Sequence, residues 1–294
     1  MNTDKIKNII IAALSGLIIL FVALIYFDEQ VYVLSAAQEE NITFLLEQND
    51  FLIASSASLP RYFSPMRQAN MQHYNHDVHG MALRFFGEIQ FKTDIEIGST
   101  FYYCDVYEKE IGIELATNTI NFSSFYGFFV AGHEDGFVHN AINSINLAYA
   151  FIHEVIGTYN MVHHSTSLTA NGDYIVVFYA RHDGRIVFNN HVRVRVSGEG
   201  ITHVVYSKMT VGDFFGEERP IFSADEALMA LIFHLRSEHE YHQIIAIVDL
   251  QLVYAHADRG VPAYLITVVI GGVFTFNYLF NAFTNTHIWS EIVF

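Results

Sequence analysis

A single cysteine, Cys104, rules out an internal disulfide and any zinc cage of thiolates. Positive charge is nearly as scarce: 15 Lys and Arg stand against 31 Asp and Glu, a formal net charge of −16. A nucleic-acid binder needs cations to displace counterions from phosphate. No basic stripe occurs, so nucleic acid is excluded as a partner. Four prolines are scattered through 294 residues, and no Pro/Gly/Ser-rich linker separates rigid units. Hydrophobic residues make up 52% and aromatics 15%, which excludes disorder and requires a packed core. Catalytic signatures are missing too: there is no G-x-S-x-G and no phosphate-binding P-loop.

Histidine is abundant: its 16 copies outnumber Lys and Arg combined. It is the commonest metal-ligating side chain. The stretch HYNHDVHG, residues 73–80, carries His73, His76 and His79 at i, i+3 and i+6. On a helix the third would rotate away from the first two; on a strand His76 would face opposite to its neighbours. His153 opens HEVIG, but Gly157 stands where a zinc-protease helix needs its second histidine. His133 and His139 are two residues too far apart, and His239 with His242 gives one pair without a third ligand. Local spacing therefore assigns no metal ligand, no cofactor site and no catalytic residue, while a site assembled from distant histidines stays open. Protonating all 16 would bring the formal charge to zero, so the surface charge should respond to acid. Carboxylate pairs such as Glu217-Glu218 and Asp225-Glu226 read as local charge or helix capping.

Residues 9–27 contain no charge. As a helix these 19 residues span about 28 Å, close to the thickness of a bilayer core. Lys5 and Lys7 precede the run, and Asp28 and Glu29 follow it, which keeps the N-terminus in the cytoplasm. The alternative is a cleaved signal peptide using the small residues Ser35-Ala36-Ala37, ten residues past Phe27. Small residues Ala12, Ala13, Ser15 and Gly16 make one face suited to close helix packing, and they are the candidate partner-binding residues. The apolar stretch at residues 261–283 is interrupted by Pro262, Gly271-Gly272 and Asn277 and reads as strands.

Beyond the run, residues 30–48 have helical spacing, and FLIASSASLP reads as a short strand. Residues 85–130 alternate and predict three or four antiparallel strands. Residues 141–157 form a second helix by period, followed by turn signals at Asn171-Gly172 and Asp183-Gly184. Val192, Val194 and Val196 alternate strictly with His191, Arg193 and Arg195. Ser223 with Glu226 forms a capping box for a third helix, whose first turn also holds Asp225. Strands close the chain. The expected fold class is α+β: a single N-terminal transmembrane helix, then an extracytoplasmic region of helices on antiparallel sheets, with helix-plus-sheet units repeated. The expected segments are a cytoplasmic tail (1–8), the span (9–27), an N-terminal α+β region (28–135) and a C-terminal one (136–294) with two such units.

The segments LLEQNDFLIASSASLP, YARHDGRIVFNNHVRVRVSGEGI, IFSADEALMALI, IIAIVDLQLVYA, VPAYLITV and FNYLFNAFTNTHI, behind one N-terminal anchor, resemble the YycH/YycI family, most closely its YycI member. Pro262-Ala263-Tyr264 departs from that pattern, with tyrosine in place of tryptophan. The resemblance implies a non-enzymatic, single-pass protein of Gram-positive cell membranes. Its implied partners are the WalK (YycG) sensor histidine kinase, which controls cell-wall metabolism, and a sister YycH-like protein in a hetero-oligomer. The rival expectations are a bitopic cell-envelope scaffold and an extracellular metal-dependent hydrolase.

Overall fold

The structure, a computed structural model, describes residues 14–22, 32–55, 57, 59–73, 77–86, 93–97, 100–104, 109–114, 119–134, 136–158, 160–238, 244–256 and 259–293. It is a mixed α+β fold dominated by antiparallel sheet. Residues 14–22 are helical. Residues 9–13 and 23–27 of the expected span lie outside the described residues. Among the described residues no helix is long and apolar enough to cross a membrane.

Two compact units divide the chain, and both are discontinuous. The first draws on Met1–Met66, Glu218–Gln251 and Tyr264–Glu291; the second on Arg67–Glu217, Leu252–Ala263 and Ile292–Phe294. The sequence boundary near residue 135 falls inside the second unit.

In the first unit, α1 (Ala36–Glu47) begins at Ser35, whose Oγ accepts from the Gln38 amide at 3.3 Å. Gln38 Oε1 accepts in return from the Ser35 amide at 3.0 Å, so two orphan donors of the first turn are satisfied. The helix buries Ile42 and Leu46 and packs on β1 (Phe51–Ile53) and on α4 (Ala224–Glu238). Helix α4 buries Ala224, Ala227, Leu228, Leu231, Ile232 and Leu235, the i, i+3, i+4, i+7 stripe that its sequence prescribes. Strand β1 runs parallel to β12 (Ile245–His256), with Phe51 opposite Ile245 and Ile53 opposite Ile247. The sheet is mainly antiparallel, as expected; this parallel pair is an addition, since parallel partners arise from distant crossovers that no local turn signal announces. Strands β13 (Gly260–Ile270), β14 (Phe274–Asn281) and β15 (His287–Val293) complete the unit, β13 pairing β14 and β14 pairing β15.

In the second unit, β2 (Met66–His73) and α2 (Val78–Phe86) precede four strands: β3 (Thr93–Ile97), β4 (Thr100–Cys104), β5 (Lys109–Glu114) and β6 (Thr119–Phe128). Helix α3 (Ala141–Phe151) follows, then β7 (Met161–Leu168), β8 (Tyr174–His182), β9 (Arg185–Ser197), β10 (Gly200–Ser207) and β11 (Met209–Arg219). The strands run antiparallel in the order β7-β8-β9-β10-β6-β5-β4-β3. A further parallel contact joins β12 to β9 through Tyr254 and Val187. Helix α3 lies on this sheet, capped by Asn140, whose Oδ1 accepts from the Asn143 amide at 2.9 Å. Its last turn widens into a π-helix, Ile152–Ile156, ended by Gly157 at φ 73°. Leu147, Phe151, Val176, Phe178, Ile111, Ile120, Val192, Val194 and Val196 are buried between helix and sheet. Each buried valine contributes about 1.5–3 kcal/mol, which fixes the register of β9. In β9 the pairing jumps from Tyr179–His191 to Ala180–Val187, so residues 188–190 form a bulge. Asn190, 7% exposed, holds that bulge against the start of β11 through Nδ2 to the Met209 carbonyl at 2.7 Å.

Candidate functional site

The histidine run of residues 73–80 is a strand-to-helix connection. His73 ends β2 and His79 falls in the first turn of α2; His76 lies outside the described residues. Asp77 serves as the cap of α2, its Oδ1 accepting from the Gly80 amide at 3.0 Å. The aspartate is thus used by the backbone. Among the described residues, no three His, Cys, Asp or Glu stand close enough to hold a metal ion. His133 and His153 are exposed in a loop and in the π-helix, and residues 239–242 lie outside the described residues. Of the candidate anchor residues, Ala12 and Ala13 also lie outside them. Ser15 and Gly16 sit in the helix of residues 14–22, and a Cβ added to Gly16 would meet nothing within 4 Å.

Polar and titratable groups converge instead in the first unit, in a groove of about 480 Å³ between α4, β14, β15 and the β14–β15 turn. Helix α4 supplies Glu226, Met229, Phe233 and His234; β14 supplies Phe280, the turn Asn285, and β15 His287. The rings of His234 and His287 stack with centroids 4.0 Å apart and planes 22° from parallel. Two aromatic rings of β14 close around the pair. Tyr278 lies 5.8 Å from His234 and 6.2 Å from His287. Phe280 is edge-on to both, at 6.0 Å and 5.6 Å. Asn285 adopts a left-handed conformation, φ 54°, that asparagine tolerates, and its Nδ2 donates to the Glu226 carbonyl at 2.9 Å. That bond ties the turn to α4 and sets the depth of the groove.

The groove's chemistry is limited by the same geometry. Glu226 carries the α4 cap: its Oε2 accepts from the Ser223 amide at 2.8 Å, and the Ser223 hydroxyl lies 2.8 Å from that oxygen and close to Asp225 Oδ1. The two stacked imidazoles do not suit a shared metal. An ion must lie in both ring planes at about 2 Å from each nitrogen. Planes 4.0 Å apart and tilted by 22° meet only some 10 Å away, roughly five times that bond length. The groove is suited to apolar contact and hydrogen bonding.

Elsewhere, His191, His203 and Tyr264 are among the groups displaced from their ordinary values. Burial lowers His191 to about 4, with help from Arg193, while its ring bond to the Phe188 carbonyl at 3.1 Å opposes the shift. Burial and Arg195 lower His203, against the pull of Asp173, which itself holds Arg195 Nε at 2.8 Å. Burial, then the carboxylates of Asp225 and Glu226, raise Tyr264. The Tyr264 hydroxyl donates to the Phe222 carbonyl at 2.8 Å, beneath the start of α4. Tyr264 is fully buried and anchors the α4 entry.

Local spacing missed the groove because His234 and His287 are far apart in sequence and belong to no motif. The closing segment from His287 read only as a strand, which does not indicate what the strand faces.

No family model matches the chain, and no curated protein does. Among solved structures it is similar to an uncharacterized protein from Eubacterium rectale, with 9% identity and a TM-score of 0.50, over 80% of this chain and 88% of that one. It is also similar to the C-terminal domain of YpeB from Bacillus megaterium, with 14% identity and a TM-score of 0.35, over 76% of this chain and 99% of that domain. The likeness to the Eubacterium rectale protein is one of fold.

Proposed function

We propose that the protein is a membrane-anchored, non-enzymatic regulator of the YycI type, acting on a WalK-like sensor histidine kinase together with a sister YycH-like protein. The observation that carries this reading is the uncovered apolar helix at residues 14–22. Leu14, Leu17, Ile18, Ile19, Leu20, Phe21 and Val22 are between 49% and 69% exposed. Leaving seven large apolar side chains in water would forfeit about 1.5–3 kcal/mol each, so another phase or protein covers them. The surrounding uncharged residues 9–27 match a bilayer core in length, with basic residues before and acidic ones after. Residues 1–8 are then cytoplasmic and the chain from 28 onward is outside the cell. The mixed α+β fold dominated by antiparallel sheet is compatible with this reading of the outer part.

Regulation in this scheme needs no bond-making step. The anchor packs against a kinase helix through Ala12, Ala13, Ser15 and Gly16, where small side chains let backbones approach. Control follows if the complex binds one kinase state more tightly than the other. Replacing Ala12, Ser15 and Gly16 with leucine should reduce kinase-dependent transcription at least several-fold while the protein still accumulates in the membrane. In-cell crosslinking from Ser15 should capture the kinase. Unaltered transcription in the triple variant, or crosslinks only to unrelated envelope proteins, would refute the assignment and favour the scaffold reading.

A further inference from the structure

We infer that one end of the second unit, carrying the turn of residues 124–127, docks on the zwitterionic headgroup layer of the bilayer that holds the anchor. Among the described residues of that unit, the five most exposed large apolar side chains are Phe125 (74%), Ile142 (71%), Tyr126 and Leu168 (62% each) and Val138 (61%). They are scattered in sequence, yet the strand register gathers them. Leu168 pairs with Tyr174, Tyr174 with Val196, Val196 with Ile201, and Ile201 with Phe128. The last residue of β7 and the turn of β6 therefore stand at the same end of five neighbouring strands, an edge roughly 19 Å wide at about 4.8 Å per strand. His139 Nε2 donates to the Val196 carbonyl at 3.2 Å, and Asn143 Nδ2 donates to the Val138 carbonyl at 2.8 Å. These two bonds bring Val138 and the first turn of α3, with Ile142, to that end as well.

The aromatic pair is held in place before it docks. In β6 four residues, Ser124 to Gly127, stand opposite the single residue Thr202 of β10. Ser124 Oγ closes this turn by donating to the Gly127 carbonyl at 3.4 Å. Gly127 takes φ 67° and lies so close to the β9–β10 hairpin that an added Cβ would collide with the Glu199 carbonyl, its carbon 2.9 Å away. Phe125 and Tyr126 meet edge to face at 5.1 Å. A pair fixed in this way loses little freedom on docking.

Size, charge and chemistry select the occupant. Five such side chains present on the order of 500 Å², below the roughly 800 Å² per partner that a stable protein pair buries. A second copy is opposed by charge, since Glu134 and Glu199 are exposed at this end and each chain carries −16. Residues 119–132 themselves hold no charge. A tyrosine hydroxyl beside apolar side chains suits the boundary between headgroups and acyl chains. The docking rests on the anchored reading, because the tether supplies the effective concentration that so small a patch needs.

Fluorescence quenching of the full-length chain, reconstituted in phosphatidylcholine vesicles, tests this. Phe125→Trp and Leu168→Trp each add a reporter to the single natural tryptophan, Trp289. Lipid brominated near the headgroup end of its acyl chains should cut the added emission at least about twofold, the depth at which an interfacial apolar group settles. Val162→Trp, near the opposite end of β7, should show no quenching. Replacing Phe125 and Tyr126 together with serine should abolish the quenching of Leu168→Trp. A chain that does not float with the vesicles refutes the anchor, and with it the docking. A chain that floats with Phe125→Trp unquenched, or with Val162→Trp quenched equally, refutes the docking alone. Emission of Phe125→Trp that moves to the blue with protein concentration and not with lipid would give this end to a second copy. Photocrosslinks from position 125 to one protein in intact cells would give it to a protein partner. Either result would overturn the docking.

Discussion

Ser144 should be a position where removing a polar atom strengthens the fold. It lies in α3 with none of its surface exposed, and its Oγ makes no hydrogen bond with any described residue. A buried hydroxyl without a partner costs about 1–3 kcal/mol. Alanine removes that cost and gains roughly 0.5 kcal/mol of helix propensity. Against this stands the loss of one oxygen's packing contacts, a few tenths of a kcal/mol in all at about 0.1–0.2 per contact. The net expectation for Ser144→Ala is a gain of about 1 kcal/mol, or some 2–4 °C in Tm for a unit of this size. Leu147→Ala, three residues further along the same helix and 1% exposed, should instead lose about 2–5 kcal/mol. Urea unfolding of both variants beside the wild type, followed by far-UV circular dichroism, measures the difference. A loss of 0.5 kcal/mol or more in Ser144→Ala would refute the reasoning, because it would mean that the hydroxyl has a partner worth more than its desolvation.

Other changes test other parts of the fold. Gly200→Ala should destabilise the second unit by at least about 2 kcal/mol, since φ is +102° and a Cβ would collide with the Phe128 carbonyl, its carbon 2.8 Å away; chemical denaturation reads this, and a neutral result would count against the β6–β10 register. Tyr264→Phe should cost about 1 kcal/mol by leaving the Phe222 carbonyl without its donor, with faster amide exchange confined to the first turns of α4. His191 makes stability pH-dependent. Its folded value, about 4, lies below the unfolded 6.5, so between those pH values only the unfolded chain binds the proton. Stability therefore falls as pH drops from 6.5 towards 4 and levels off below, by up to about 3 kcal/mol. His191→Gln should flatten that part of the difference curve; an unchanged curve would show that His191 is not the group responsible.

The parts of the fold that were legible in the sequence are those fixed by neighbours along the chain. The Ser223–Glu226 box announces α4, and the Val192-Val194-Val196 alternation announces the buried face of β9. Asp183-Gly184 marks the β8–β9 hairpin, where Asp183 takes φ 49° and Gly184 φ 76°. Strand β2 was not legible, because MRQANMQH holds no β-branched residue and gains its strand form from pairing with β11 and β13. The π-turn at Ile152–Ile156 was hidden by the apolar period that continues through it. The parallel pairing of β1 and β12 depends on residues almost 200 positions apart, and the His234–His287 contact on two elements joined through β12–β14. Neither distance leaves a trace in local spacing.

The interleaving of the two units bears on how the chain can be made. The first unit includes residues near the start and residues up to Glu291, and β12 and β13 each carry the backbone from one unit to the other. As the ribosome delivers the chain from its N-terminus, α1 and β1 must wait for almost 200 further residues before α4 and β12 exist. The second unit likewise lacks its stretch of β12 and β13 until late. Folding is therefore governed by contacts of long sequence separation and should be slow. Any nascent chain stopped short of β15 would leave α4 and β14 uncovered, a form that quality-control proteases would find readily.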